Sequence, residues 1–135
     1  MKKITLYTLA ILLFGTLCLS SCKKTEDTAP STSTANNGFP GNWHNSENSS
    51  INGPATYPIT VTDSTALIIL FSYLYGFHTK INATIINNNF TIPSQVIEGN
   101  SVSGSGVLAN STRINMIYVV NNGLNKDTVT AVLTR

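Results

Sequence analysis

The sequence predicts an all-β domain, a small antiparallel meander of seven or eight strands, closed as a barrel and preceded by a signal peptide and a flexible tether. Three observations carry that prediction. Beyond Gly38 the apolar residues alternate with period two in one segment after another, the mark of half-buried strands. Turn formers separate those segments at intervals of roughly 10 to 12 residues. No stretch of the domain keeps a helical period, and its Ile, Val and Thr content disfavours one.

The first element is a targeting segment over residues 1–21. Met1-Lys2-Lys3 precedes an apolar run from Ile4 to Leu19. A run of about 16 residues behind a positive start reads as a secretory signal, because a bilayer-spanning helix needs about 20. The run ends in Leu19-Ser20-Ser21-Cys22, which resembles the bacterial lipobox. That resemblance implies cleavage before Cys22 and acylation of Cys22, so the expected partner is a membrane, held through an N-terminal lipid anchor. Cys18 then leaves with the signal peptide, and the mature chain keeps no thiol for a disulfide, a metal or a nucleophile.

Residues 22–37 comprise the lipidated Cys22 and a linker rich in Ser, Thr, Ala and Asn. Such a stretch cannot bury enough surface to offset its ordering entropy, so it reads as a tether. Lys23-Lys24 followed by Glu26-Asp27 resembles the post-cysteine export signals of Bacteroidetes surface lipoproteins, with the acidic pair one residue further out behind Thr25. The implied address is the bacterial cell envelope, as an outer membrane lipoprotein, with surface display as one option. Asp27-Thr28-Ala29 resembles the three-residue O-glycosylation motif of Bacteroidetes, which makes Thr28 the candidate for that modification.

Residues 38–135 form the β-barrel domain. Tyr57, Ile59 and Val61 make one face; Ile81, Ala83 and Ile85 another, continued by Phe90 and Ile92 across an Asn87-Asn88-Asn89 turn. Ile114, Met116, Tyr118 and Val120 follow, and then Val129, Ala131 and Leu133. The expected turns are Asp63-Ser64, Glu98-Gly99-Asn100, Asn110-Ser111 and Asn121-Asn122-Gly123, since Asn and Gly tolerate positive φ. Ala66 to Phe71 is apolar without alternation, which predicts a strand covered on both faces or one pairing at a closure. Pro93 predicts a bend or an edge in its strand. Gly104 and Gly106 share the parity of Val102 and Leu108, so two side chains are missing from an inward face. That implies close backbone approach or a sharp bend, and closure of the meander would remove its edges.

Charge narrows the function. The 135 residues carry eight Lys+Arg and six Asp+Glu, a formal +2, but Lys2 and Lys3 belong to the signal peptide and the remainder is neutral. A neutral domain has no electrostatic footprint for nucleic acid. Gly104-Ser105-Gly106-Val107-Leu108-Ala109 fits G-x-G-x-x-A in letters only, because no helix follows it to receive a pyrophosphate. His44 and Glu47, three apart, are the nearest approach to a metal pair, and the expectation is no metal and no cofactor. No acid, base and nucleophile set stands out, so an enzyme is not expected.

Phe71-Ser72-Tyr73-Leu74-Tyr75-Gly76-Phe77-His78 is the most unusual segment. Phe71, Tyr73, Tyr75, Phe77 and His78 could present a stacking platform to a small ligand or glycan, or their rings could plug one end of a narrow barrel. The sequence leaves both open.

Gly41-Asn42-Trp43 at the head of the first strand resembles the Gly-x-Trp of lipocalin-like (calycin) barrels. The resemblance implies that Trp43 closes the barrel floor under an arginine, for which Arg113 and Arg135 are candidates, with Arg135 ending the last strand. The stretch from Tyr57 to Arg135, with Phe90-Thr91-Ile92-Pro93-Ser94-Gln95 and Val102-Ser103-Gly104-Ser105-Gly106, is similar to small uncharacterised Bacteroidetes lipoproteins. They imply an address and a β-rich fold and no activity. The expected function is thus a lipid-anchored, non-enzymatic binding or structural module of the envelope. The alternative is a lipocalin-like carrier of a small apolar ligand or glycan.

Overall fold

The computed structural model describes residues 38–135. The signal segment, Cys22 and Thr28 lie outside the described residues. Eight strands follow in order: β1 Gly41–Ser49, β2 Gly53–Thr65, β3 Ile68–Ser72, β4 Ile81–Ile86, β5 Asn89–Ile97, β6 Asn100–Asn110, β7 Arg113–Asn121 and β8 Lys126–Thr134. Each pairs with the next, β8 pairs antiparallel with β1, and the meander closes as a barrel. A single 3₁₀ turn, Leu74–Gly76, interrupts the β3–β4 connection.

Alternation decides what faces inward. Ile59 and Val61 of β2, Ile69 and Phe71 of β3, and Ile81, Ala83 and Ile85 of β4 are all buried. So are Ile114, Met116, Tyr118 and Val120 of β7 and Val129, Ala131 and Leu133 of β8. Their neighbours in sequence point outward, as a two-residue side-chain period requires.

Two sequence expectations need correction. Asp63-Ser64 is not a turn: Asp63 pairs with Ile69 inside the β2–β3 ladder, and the register shifts between Asp63 and Thr65. The turn falls at Ala66-Leu67. Ala66 to Phe71 is therefore not one strand covered on both faces. It is a turn whose Leu67 stands exposed, followed by a strand in which Ile69 and Phe71 are buried while Ile68 and Leu70 are half-buried. An apolar pair in a turn erased the alternation that sequence pattern relies on.

Pro93 does bend its strand. In β5 the buried residues are Phe90 and Ile92 before the proline and Ile97 after it, so the inward parity changes from even to odd. The β5–β6 register shifts between Ile92 and Gln95, because proline has no N–H to give the ladder. Gly104 and Gly106 are sites of close approach. A Cβ on Gly104 would lie 2.5 Å from both the Ile117 carbonyl oxygen and Tyr118 Cβ, and one on Gly106 would lie 2.4 Å from the Phe90 ring.

An up-and-down meander puts alternate connections at opposite ends. The base holds the entering segment at Gly38–Pro40, the β2–β3, β4–β5 and β6–β7 turns, and Arg135. Aromatic rings fill the interior near it: Phe90 meets Phe39 edge-on at 5.7 Å and Phe71 at 5.3 Å. The mouth holds the β1–β2, β3–β4, β5–β6 and β7–β8 connections.

Candidate functional site

At the base, Trp43 is 2% exposed and its indole Nε1 donates to the Phe39 carbonyl at 2.8 Å. Of the two arginines it is Arg135 that stands on the ring, with Cζ 4.2 Å from the centroid. Arg135 also donates to the carbonyls of Gly38, Pro40 and Ser111 at 2.8 to 2.9 Å. This end is tied down by backbone contacts and offers a ligand little.

The mouth is different, because polar groups are brought inside there. On β1 the inward parity of Trp43 continues through Asn45, Glu47 and Ser49, all buried. Glu47 Oε2 accepts from the Tyr57 and Tyr118 hydroxyls, each at 2.6 Å, and from Asn45 Nδ2 at 2.9 Å. On β8, Asp127 is 2% exposed. Its Oδ2 accepts from Ser49 Oγ at 2.5 Å and Tyr75 OH at 2.8 Å, and its Oδ1 from Ser50 Oγ at 2.9 Å and Ile51 N at 3.2 Å. Buried carboxylates are tolerable only when donors surround them this way.

Tyr75 joins the two clusters. Its hydroxyl serves Asp127, while its backbone N–H donates to Tyr57 OH at 2.8 Å, which in turn donates to Glu47. The β3–β4 connection is thereby fastened into the mouth at two points. Tyr73 and Tyr75 adopt left-handed φ of 66° and 57°, conformations costly for residues with a Cβ. The hydrogen bonds to Tyr75 and the burial of Leu74, 0% exposed, and Phe77, 6% exposed, hold the segment there.

The Phe71–His78 segment therefore does not form one surface. Phe71, Leu74 and Phe77 point indoors; Tyr75 is half-buried, packed on Phe77 at 5.4 Å and edge-on to Tyr118 at 6.3 Å. Tyr73, 55% exposed, and His78 meet edge-on at 6.2 Å on the outside. His44 and Glu47 occupy opposite faces of β1, His44 exposed and Glu47 within. Among the described residues no three His, Cys, Asp or Glu come together.

Protonation follows from these contacts. Burial alone would raise the pKa of Asp127, but the donors Ser49, Tyr75, Ser50 and the Ile51 N–H hold it below the usual carboxylate range. Burial first, and then the bond to Asp127, push Tyr75 up to about 12. Burial also raises Tyr57, helped by Glu47, and raises Tyr118 beside Tyr57 and Glu47. These phenols are fixed, protonated hydrogen-bond donors near neutral pH.

Above Asp127 and Tyr75 the mouth opens into a pocket of about 150 Å³ whose rim carries Asn52, Asn100, Asn122 and Asn125. Four asparagines converge on it, Asn52 from the β1–β2 connection, Asn122 and Asn125 from the β7–β8 connection and Asn100 from the head of β6.

No family model and no curated protein matches the chain. Among solved structures, a redesigned β-barrel is similar to it with a TM-score of 0.52 and 12% sequence identity, over 71% of this chain and 90% of that one. The likeness is one of fold alone.

The mouth cluster was the part that sequence reasoning missed. Its signal was present: Asn45, Glu47 and Ser49 share the parity of Trp43, and Asp127 shares that of Val129, Ala131 and Leu133. Only the rule that charged residues face water argued otherwise.

Proposed function

We propose that the chain is a lipid-anchored protein of the bacterial cell envelope, held through Cys22, whose barrel is a non-enzymatic binding module working through its polar mouth. The observation that carries this reading is the distribution of polar groups. Side chains of Ile, Val, Phe and Tyr fill the interior, while the buried carboxylates and the asparagine rim gather at one end.

The outer wall supports a lipid anchor over insertion of the strands. A membrane-spanning barrel presents a continuous apolar band outward, whereas here exposed Ile86, Val96 and Ile117 stand on a wall that also carries Asn42, His44, Ser46 and Asn48 of β1 and Thr128 and Thr130 of β8. No described helix is long and apolar enough to cross a membrane. Trp43 under Arg135 favours a second reading, a lipocalin-like barrel that carries a small ligand. Within that reading the filled interior argues for a ligand at the mouth rather than an apolar one along the axis.

Metabolic labelling of the bacterial host with an alkyne fatty acid tests the anchor. The wild-type chain is expected to take the label and partition into detergent, and Cys22→Ser to lose both. An unlabelled wild-type chain would overturn the anchor. Native mass spectrometry of the protein taken from its own host tests the binding role, with a co-purifying small molecule as the expected result.

A further inference from the structure

The four mouth asparagines differ in what they have left to offer, and the difference identifies a ligand. Asn52 commits its Nδ2 to Tyr75 OH at 2.9 Å and to Asp127 Oδ2 at 3.5 Å. Asn100 commits its Nδ2 to the carbonyls of Glu98 at 3.1 Å and Ile97 at 3.5 Å. Each therefore keeps its Oδ1, an acceptor. Asn122 does the reverse: its Oδ1 accepts from the backbone N–H of Leu124 at 3.0 Å and of Asn125 at 2.7 Å, so its Nδ2 donor remains. The Asn125 side chain has no hydrogen bond within the barrel and keeps both ends. In the first three, the partners fix which way round the carboxamide lies, because a phenol held by a carboxylate, a carbonyl and two N–H groups each accept only one orientation.

The rim thus combines acceptors and donors without a free charge. Asp127 beneath it already receives two serine hydroxyls, one phenol, the Asn52 side-chain amide and one backbone N–H. An anion would ask for donors alone and a cation for acceptors alone. A hydroxyl is both donor and acceptor, and several hydroxyls at fixed spacing match a mixed rim. The remaining lining is apolar, from Ile51, Val120 and the Tyr75 ring, which suits the C–H faces of a saturated ring. The size agrees: about 150 Å³ is the volume of an engineered cavity that accepts one benzene-sized ring.

We infer that the barrel mouth is a site for a single neutral sugar ring, bound by Asn52, Asn100, Asn122 and Asn125 over a floor of Ile51, Val120 and Tyr75. This rests on the reading of the mouth as the binding end and names the class of ligand it takes. A pocket of one-ring depth binds the terminal residue of a glycan, and affinity for an isolated sugar is weak because few contacts must offset the immobilisation of both partners.

The test is a titration of the ¹⁵N-labelled full chain in detergent micelles with methyl glycosides of glucose, galactose, mannose, fucose and N-acetylglucosamine. At least one is expected to shift the amide resonances of Asn52, Asn100 and Asn125 saturably at millimolar concentration. Asn125→Ala, which removes a rim group with no role in the fold, is expected to weaken that binding roughly three- to tenfold, the loss of one or two hydrogen bonds. His44→Ala, on the outer face of β1, serves as a control that changes nothing. Two results overturn the assignment: no glycoside moves the mouth resonances, or Asn125→Ala binds as well as wild type. Parallel titrations with phosphate, acetate and glycine separate the two levels of inference. If one of these shifts the mouth and no glycoside does, the sugar assignment falls while the mouth remains a binding end. If nothing shifts it, both fall.

Discussion

Replacing Gly104 by alanine tests whether the barrel closes as tightly as its geometry implies. The added Cβ would sit 2.5 Å from the Ile117 carbonyl oxygen and from Tyr118 Cβ, and 2.7 Å from Tyr118 Cα. Two of these three are backbone atoms of the paired strand β7, so no rotamer change can relieve them. The strands must separate locally or Tyr118 must move, and Tyr118 is held by its bond to Glu47. Overpacking of this kind costs typically about 1–3 kcal/mol, and the alanine recovers about 0.5–1 kcal/mol by restricting the unfolded chain. A net loss of about 1.5 kcal/mol lowers Tm by roughly 6–12 °C in a domain of this size. Gly106→Ala gives a partial contrast, because its two nearest obstacles, at 2.4 and 2.6 Å, are atoms of the Phe90 ring, with the Asn115 carbonyl oxygen next at 2.7 Å. Shortening that ring in Gly106→Ala/Phe90→Leu should make the pair less destabilised than the sum of the single variants, whereas no such partner exists for Gly104. The assay is thermal unfolding followed by circular dichroism. A Gly104→Ala Tm equal to or above wild type would refute the close approach.

Three further outcomes follow from the same contacts. Asp127→Asn leaves Ser49, Ser50 and Tyr75 without a charged acceptor and should cost about 2–3 kcal/mol in urea unfolding. Because the pKa of Asp127 is lowered on folding, its contribution is complete above the unfolded value near 4 and disappears as pH falls through the lower folded value, so the variant should show a shallower acid limb as pH falls below about 5. Arg135→Met removes the cation over Trp43 and three bonds to carbonyls; we expect a loss of about 1–2 kcal/mol and altered tryptophan fluorescence, while Arg113→Met leaves the fluorescence unchanged. Tyr73→Ala should change stability by less than about 0.5 kcal/mol because the ring is on the surface, whereas Leu74→Ala, beside it but fully buried, should cost about 2–5 kcal/mol.

Strand periodicity was legible wherever one face is uniformly apolar, as in β4, β7 and β8 from Val129 onward. It failed at Ala66-Leu67, where a turn is built from apolar residues and the usual Asn, Gly or Asp signal is displaced onto Asp63. Pro93 announced a bend, but the change of parity from Ile92 to Ile97 became readable only against the β6 register. The mouth was illegible for another reason. Glu47 can be buried because Tyr118, 71 residues away, meets it, and Asp127 because Ser49, 78 residues away, does. Partners so distant along the chain leave no local pattern, and without them a carboxylate reads as surface.

Those distant bonds also settle how the last strand meets the first. The β1–β8 seam pairs Ser49 with Val129, Glu47 with Ala131 and Asn45 with Leu133. Sliding β8 by one residue would turn its faces over, bringing Lys126, Thr128 and Thr130 indoors and carrying Asp127 out to water. Ser49 would then face an ammonium-bearing strand with no carboxylate. A purely apolar seam would penalise the slip only through lost packing, whereas here every misaligned closure strands a hydroxyl or a charge. The buried acids behave like the wards of a lock, which admit a single alignment when the sheet shuts on itself.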